Sequence, residues 1–259
     1  MLKELFTAAL GMTPQQTRME VTANNLANAN TTGFKRGSVF ERNLIDARAN
    51  FYNVPGDVED DDPPIGSYVD FSAGSFEQTS NPLDVAIDTN GFFVVSDEDG
   101  NQYFTRNGHF ELSQDGTIIA KDGKALMGRD GPINISKEFA SDKMITRDTT
   151  KVDIKITESG EVFANDFHAG TIQIARVENL YQINKVSDQD FVATDGAEIT
   201  MLDPEEVMLR QGWLEGSNVD VVKEMVTMIE LQRMFEAGSK VIHTNNETLD
   251  RSISLGRYY

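Results

Sequence analysis

Apolar residues at the two ends of this chain recur at helical spacing, while the middle holds short β-rich runs separated by turn signals. Near the N-terminus Leu5, Met12, Met19 and Leu26 stand seven residues apart, with Leu2, Ala9, Gln16 and Ala23 interleaved at three and four. This is the a/d seam of a heptad pattern, with a polar Gln16 set into it, and it predicts an amphipathic helix. Pro14 interrupts the pattern. A proline inside a helix removes one hydrogen bond and costs about 3 kcal/mol, whereas at a first helical position it is tolerated. Thr13, with Gln16 three residues later, reads as a capping box, so a kink or restart is expected there.

The C-terminal pattern is stronger. Val221, Met228, Phe235, Ile242 and Leu249 recur every seven residues, flanked by Met225, Gln232, Ser239, Asn246 and Ile253. Ser217 and Asn218 are candidate caps. A helix from about residue 218 to 253 would be ~50 Å long, more than a compact domain of this size needs. Each seam requires a partner, and the simplest is the other end of the same chain. Helices of that length still leave apolar faces for neighbouring subunits.

Between the ends, residues 91–112 (GFFVVSDEDGNQYFTRNGHFEL) give two β-rich runs around Asp97-Glu98-Asp99-Gly100, followed by an Asn107-Gly108 turn signal. More turn signals follow at Asp115-Gly116, Asp122-Gly123, Asp130-Gly131, Ser159-Gly160 and Asp195-Gly196. Short strands at this spacing predict an antiparallel β domain over residues 67–212. Residues 37–66, with Pro55, Pro63 and Pro64, read as an irregular connector. The expected class is α+β. Residues 1–36 and 213–259 form a coiled-coil-like helical region around a central antiparallel all-β domain.

Charge refines this division. The net charge is -19, yet residues 1–40 carry four basic and two acidic side chains, residues 210–259 carry six and seven, and the middle carries 13 and 33. Nearly neutral ends suit packing between copies, and an acidic middle, including DVEDDDPP at 57–64, suits a solvated surface. The acidic balance argues against nucleic acid as a partner. With no cysteine, disulfides and thiolate chemistry are excluded. No run approaches the roughly 18 apolar residues of a membrane span. MLKELFTAALGM is a poor cleavable signal, because Glu4 interrupts its basic start and its apolar run is short. Exit from the cytoplasm would need another route.

Catalytic chemistry finds little support. His109, His168 and His243 show no metal-ligand spacing, and the acidic turn at 97–100 lacks the alternating ligands and final Glu of a calcium loop. Nucleophile-elbow, phosphate-loop and dinucleotide signatures are absent. Trp213 reads as an apolar anchor where the long helix leaves the β domain.

One stretch carries more information. ANNLANANTTGFKR, residues 23–36, closely resembles the N-terminal signature of bacterial flagellar rod and hook proteins, A-N-N-[IL]-A-N followed by T-x-G-[FY]-[KR]. NPLDVAIDTNGFFVV (81–95), YFTRNGHFELSQDG (103–116), LMGRDGPINI (126–135) and LEGSNVDVVKEMVTMIELQRMFEAGSKVI (214–242) resemble successive blocks of the FlgF/FlgG rod subfamily. PLDVAI, YFTRNG, the GRDGPI stretch and LEGSNV look more like the proximal-rod, FlgF type than the distal-rod, FlgG type.

The resemblance implies a non-enzymatic structural subunit of the flagellar basal-body rod, with no cofactor, metal or small-molecule substrate. Its partners would be itself, other rod subunits, the surrounding ring and the export apparatus. It would be exported without a cleaved signal and assembled in the periplasm. On this reading Asn24, Asn25, Asn28 and Asn30 supply amides at a crowded helix end where subunits meet. Gly33 reverses the chain and Phe34 anchors the turn. The subunit-packing residues are Leu5, Met12, Met19, Leu26, Val221, Met228, Phe235, Ile242 and Leu249. The rival readings are a secreted carbohydrate-binding or adhesive β protein and a dimeric coiled-coil regulator.

Overall fold

The computed structural model describes residues 2–41, 65–135, 153–194 and 196–256, so the acidic run at 57–64 lies outside the described residues. The chain divides into two compact units, one of residues 1–29, 36–71 and 219–259, the other of residues 30–35 and 72–218.

The first unit is built on two helices, Leu2–Ala27 and Val221–Gly256. They run antiparallel, because Met12 lies against Gly238 while Asn25 reaches Glu224. The N-terminal helix continues through Pro14, and the expected restart is absent. Proline removes one bond from the ladder, and most helical stability in a folded protein comes from packing on a neighbour, which this helix has. The C-terminal helix is capped by Asp220, whose Oδ1 accepts the N–H groups of Val222 and Lys223. The sequence candidates Ser217 and Asn218 precede that position. Strands Gly37–Glu41 and Ile65–Val69 pair antiparallel from Gly37 opposite Val69 to Glu41 opposite Ile65. The two ends of the expected connector therefore form a ribbon.

The second unit is β. Its main sheet places Ile183–Lys185, Asp190–Ala193, Gln102–Thr105, Phe92–Ser96, Ala125–Gly128, Ile118–Ala120 and Phe110–Leu112 side by side in that order. Every neighbouring pair is antiparallel. A separate three-stranded sheet joins Ile154–Ile156, Glu161–Ala164 and Phe167–Thr171. Val85, Phe93, Phe110, Ile118, Leu126, Val162, Ile174 and Leu209 fill the core, where Phe93 and Phe110 meet edge to face at 5.2 Å.

The hairpin expected around 97–100 forms, with Gly100 at φ +85° closing its turn. Asn107-Gly108 makes no second hairpin. The strand after it, Phe110–Leu112, pairs with Ile118–Ala120. Gly108 instead lies against a neighbouring backbone, where its C=O accepts the Val85 N–H at 2.9 Å. A Cβ on Gly108 would fall 1.6 Å from the Val85 oxygen, so the glycine serves a close approach.

Candidate assembly interface

The Asn-rich signature is divided between the units. Residues 30–35 belong to the β unit, where they are held on every side. Thr32 Oγ1 donates to Asn107 Oδ1 at 2.9 Å, and Gln189 Nε2 donates to the Thr32 carbonyl at 3.2 Å. Gly33 adopts φ +68°, and its N–H donates to the Glu215 carbonyl at 2.7 Å. A Cβ there would meet Asn107 N at 2.4 Å. Glycine is therefore required twice over, by conformation and by space. Phe34 is fully buried, with the Lys185 ammonium 4.2 Å from its ring centroid. Burial pushes Lys185 below its ordinary pKa, against the pull of Asp188.

Lys35 is also fully buried, and its Nζ donates to Glu215 Oε1 at 2.6 Å and to the Ser72 carbonyl at 2.9 Å. Arg106 NH1 reaches the other oxygen of Glu215 at 3.4 Å while the guanidinium lies over Phe92. Burial lowers the Arg106 pKa, and the charge of and hydrogen bond to Glu215 oppose that shift. One buried carboxylate thus serves two buried cations.

In the helical unit, Asn25 is the buried member of the asparagine group. Its Nδ2 donates to the Gly37 carbonyl at 2.9 Å and its Oδ1 accepts the Gly37 N–H at 2.8 Å. Nδ2 also lies 3.4 Å from Glu224 Oε2. The amide acts as one rung of a strand ladder for Gly37. Arg36 Nε donates to Glu224 Oε1 at 2.6 Å, and Arg36 NH1 donates to Ser38 Oγ at 3.0 Å. Glu224 sits in the first helical turn, where the macrodipole also favours its charge. Asn28 donates through its amide to the Asn24 carbonyl, and the side chains of Asn24 and Asn30 are exposed. The consecutive cations Lys35 and Arg36 therefore take different buried carboxylates, one in each unit. Neither Glu215 nor Glu224 was singled out by sequence reasoning, since both look like ordinary surface glutamates.

Of the heptad residues, Met12, Met19, Leu26, Val221, Met228 and Ile242 are half-buried, and Phe235 is 36% exposed. The side chains of Leu5 and Leu249 lie outside the described residues. Among the described residues, the buried helix positions are Thr22 and Asn25 on one helix, Glu224 and Leu231 on the other. The companion columns differ from the expected ones. Gln16, Ala23, Met225, Gln232, Ser239 and Asn246 are all exposed, and the second column of the C-terminal seam is Glu224, Leu231, Gly238 and Asn245. At about 100° per residue, positions 221 and 224 straddle the buried line, whereas 225 lies well round the cylinder. On the face opposite Glu224 and Leu231, a second apolar stripe faces solvent. It comprises Val222, Met225, Val226 and Ile229, with Val222 72% exposed.

The histidines have local roles. His109 Nδ1 lies 2.7 Å from the buried Asp84, His168 stacks edge-on against Phe163, and His243 lies 3.3 Å from Glu247 one turn on. Among the described residues, no group of three or more His, Asp or Glu side chains is placed to hold a metal ion. Trp213 is half-buried in the strand Trp213–Glu215, which pairs with Phe76–Gln78.

Three family descriptions match the chain in order. A flagellar basal-body rod protein pattern covers residues 5–35, a flagellar hook FlgE/F/G D1 domain covers 86–164, and a flagellar basal-body rod FlgEFG C-terminal pattern covers 210–255. The flagellar basal-body rod protein FlgG of Borreliella burgdorferi is 33% identical over 99% of this chain and 100% of its own length. The chain belongs to the flagellar rod FlgE/F/G family. The FlgG protein of Agrobacterium fabrum is 35% identical over 95% of this chain and 96% of its own length. A FlgF protein of Buchnera aphidicola is 28% identical over 92% and 90%. This chain is a structural subunit of the flagellar basal-body rod, not an enzyme, and its family implies assembly with other rod components. The leaning toward the FlgF type is not supported, because the relatives at 30–35% identity carry the FlgG name.

Proposed function

We propose that this chain is a distal-rod, FlgG-like subunit whose terminal helices pack with those of neighbouring copies into the wall of a torque-transmitting shaft. The observation that carries the proposal is the stripe Val222, Met225, Val226 and Ile229, exposed on the helix face turned away from its intrachain partner. Helices with apolar residues on two faces require a second partner, and repeated head-to-tail contact between identical chains generates a helical filament. The half-buried residues Met12, Met19, Leu26, Val221, Met228 and Ile242, with the more exposed Phe235, form the coiled-coil-like seam on which that wall is built. The acidic β unit faces other rod subunits and the surrounding ring. The chain reaches the periplasm through the flagellar export apparatus.

Deleting the gene tests the reading. The deletion strain should lack hooks and regain them with the wild-type chain, whereas Ile229→Asp should give a folded monomer that fails to restore them. Hooks in the deletion strain would refute the proposal. Antibody against the β unit should decorate isolated basal bodies at the hook-side portion of the rod. Decoration at the membrane-side end would reinstate the proximal position.

A further inference from the structure

The chain passes between its two units at four peptide bonds, 29–30, 35–36, 71–72 and 218–219. On the β-unit side, the segments entering and leaving at these points converge on Glu215. Its carbonyl holds the Gly33 N–H, and its Oε1 accepts both Lys35 Nζ and the Gly74 N–H, the latter at 3.0 Å. Lys35 Nζ also holds the Ser72 carbonyl. Beside it the Gly216 N–H donates to the Ser75 carbonyl, and the Asn218 amide donates to the Ser72 carbonyl and Oγ. A Cβ on Gly74 would lie 2.1 Å from the Gly216 oxygen, so the two segments touch backbone to backbone.

We propose that Glu215 is a positioning residue that staples the four crossings into one stiff node, so that load passing along the chain enters the β unit as through a single thick strut. Each crossing taken alone is a single covalent chain, and single chains bend at their φ and ψ torsions. Crossings held by charge-assisted bonds in a dry site cannot bend independently. The position also accounts for the arrangement of charge. Glu215 is buried with two cations, and Arg106 Nε is buried without a hydrogen-bond partner. A lone carboxylate shared by two buried cations is the element whose loss frees the whole cluster.

The mechanical part rests on the rod reading, and the local part does not. Glu215→Gln in the purified full-length chain keeps the shape and removes the charge. Amide exchange at residues 30–35 and 72–75 should accelerate at least ~10-fold, while the strands Phe92–Ser96 and Gln102–Thr105 keep their wild-type rates. Unchanged exchange, or equal acceleration throughout the β unit, overturns the node. If Glu215→Gln does not fold, Asn218→Ala removes the amide bonds to the Ser72 carbonyl and Oγ and should accelerate exchange at 72–75. Wild-type rates there likewise overturn the node.

In cells carrying the folded variant, hooks should form in normal number and swimming speed should fall more steeply with medium viscosity than in wild type. Parallel viscosity curves, or missing hooks, refute the mechanical role. Failure of the wild-type gene to restore hooks to the deletion strain would sink the rod reading and leave the exchange result standing.

Discussion

Replacing Asn25 with alanine probes whether the signature asparagines act within the chain or between chains. The side chain makes two bonds to the Gly37 backbone, at 2.8 and 2.9 Å, and a longer one to Glu224. Leaving a buried donor or acceptor unpaired costs about 1–3 kcal/mol. Gly37 is half-buried, so water recovers part of that loss, and alanine regains about 0.5 kcal/mol as the better helix former. Glu224 keeps Arg36. The expected net loss is about 2 kcal/mol, which corresponds to roughly 30-fold faster exchange of the Gly37 amide. Asn25→Asp should be worse, since it retains the acceptor for the Gly37 N–H but sets a carboxylate beside the buried Glu224. Asn30→Ala, at an exposed position, should stay within ~0.5 kcal/mol of wild type. Native-state amide exchange followed by mass spectrometry reads all three. If Asn25→Ala leaves Gly37 protection within twofold of wild type, the intrachain role is wrong.

Gly33→Ala should cost about 1–2 kcal/mol for the left-handed backbone alone, with the overlap against Asn107 added, and should lower the thermal midpoint of the β unit. An unchanged midpoint would show that the turn is not seated as described. Gly108→Ala, whose Cβ would collide with the Val85 carbonyl, should fail to yield soluble folded protein, and a normal melting curve would contradict the close approach. The Asp97 carboxyl lies below its ordinary value of 3.8, chiefly because the Asn101 side chain donates to it. Because the folded pKa is depressed, its contribution is complete above the ordinary value and is lost as pH falls through the folded one. Asn101→Ala should move the Asp97 titration, followed by carboxyl NMR shifts, back toward 3.8, and no movement would refute the assignment.

Much of the architecture was legible because it depends on local rules. Heptads announced both helices, β-rich runs around an acidic turn announced Phe92–Ser96 and Gln102–Thr105, and glycines at Gly100, Gly116, Gly123 and Gly160 take the positive φ their turn signals imply. What could not be read depends on distant partners. Glu215 meets Lys35 across 180 residues and Glu224 meets Asn25 across 199, and nothing local distinguishes such glutamates from solvated ones. The Asn107-Gly108 pair misled for the same reason, because it has the composition of a tight hairpin turn and the tertiary task of backing onto another strand. Which column completes a heptad seam was similarly undetermined, since positions three and four residues away differ in sequence by one step and on the cylinder by about 100°.

The seating of Phe34 bears on how the β unit is to be handled apart from the rest of the molecule. A fragment begun at residue 72 would omit a phenylalanine that has no solvent exposure in the intact chain, and would leave a hollow floored by Lys185 with Glu215 missing its lysine. Such a fragment should be loose and prone to aggregate. A synthetic peptide spanning residues 30–36, added in trans, would then be its natural ligand.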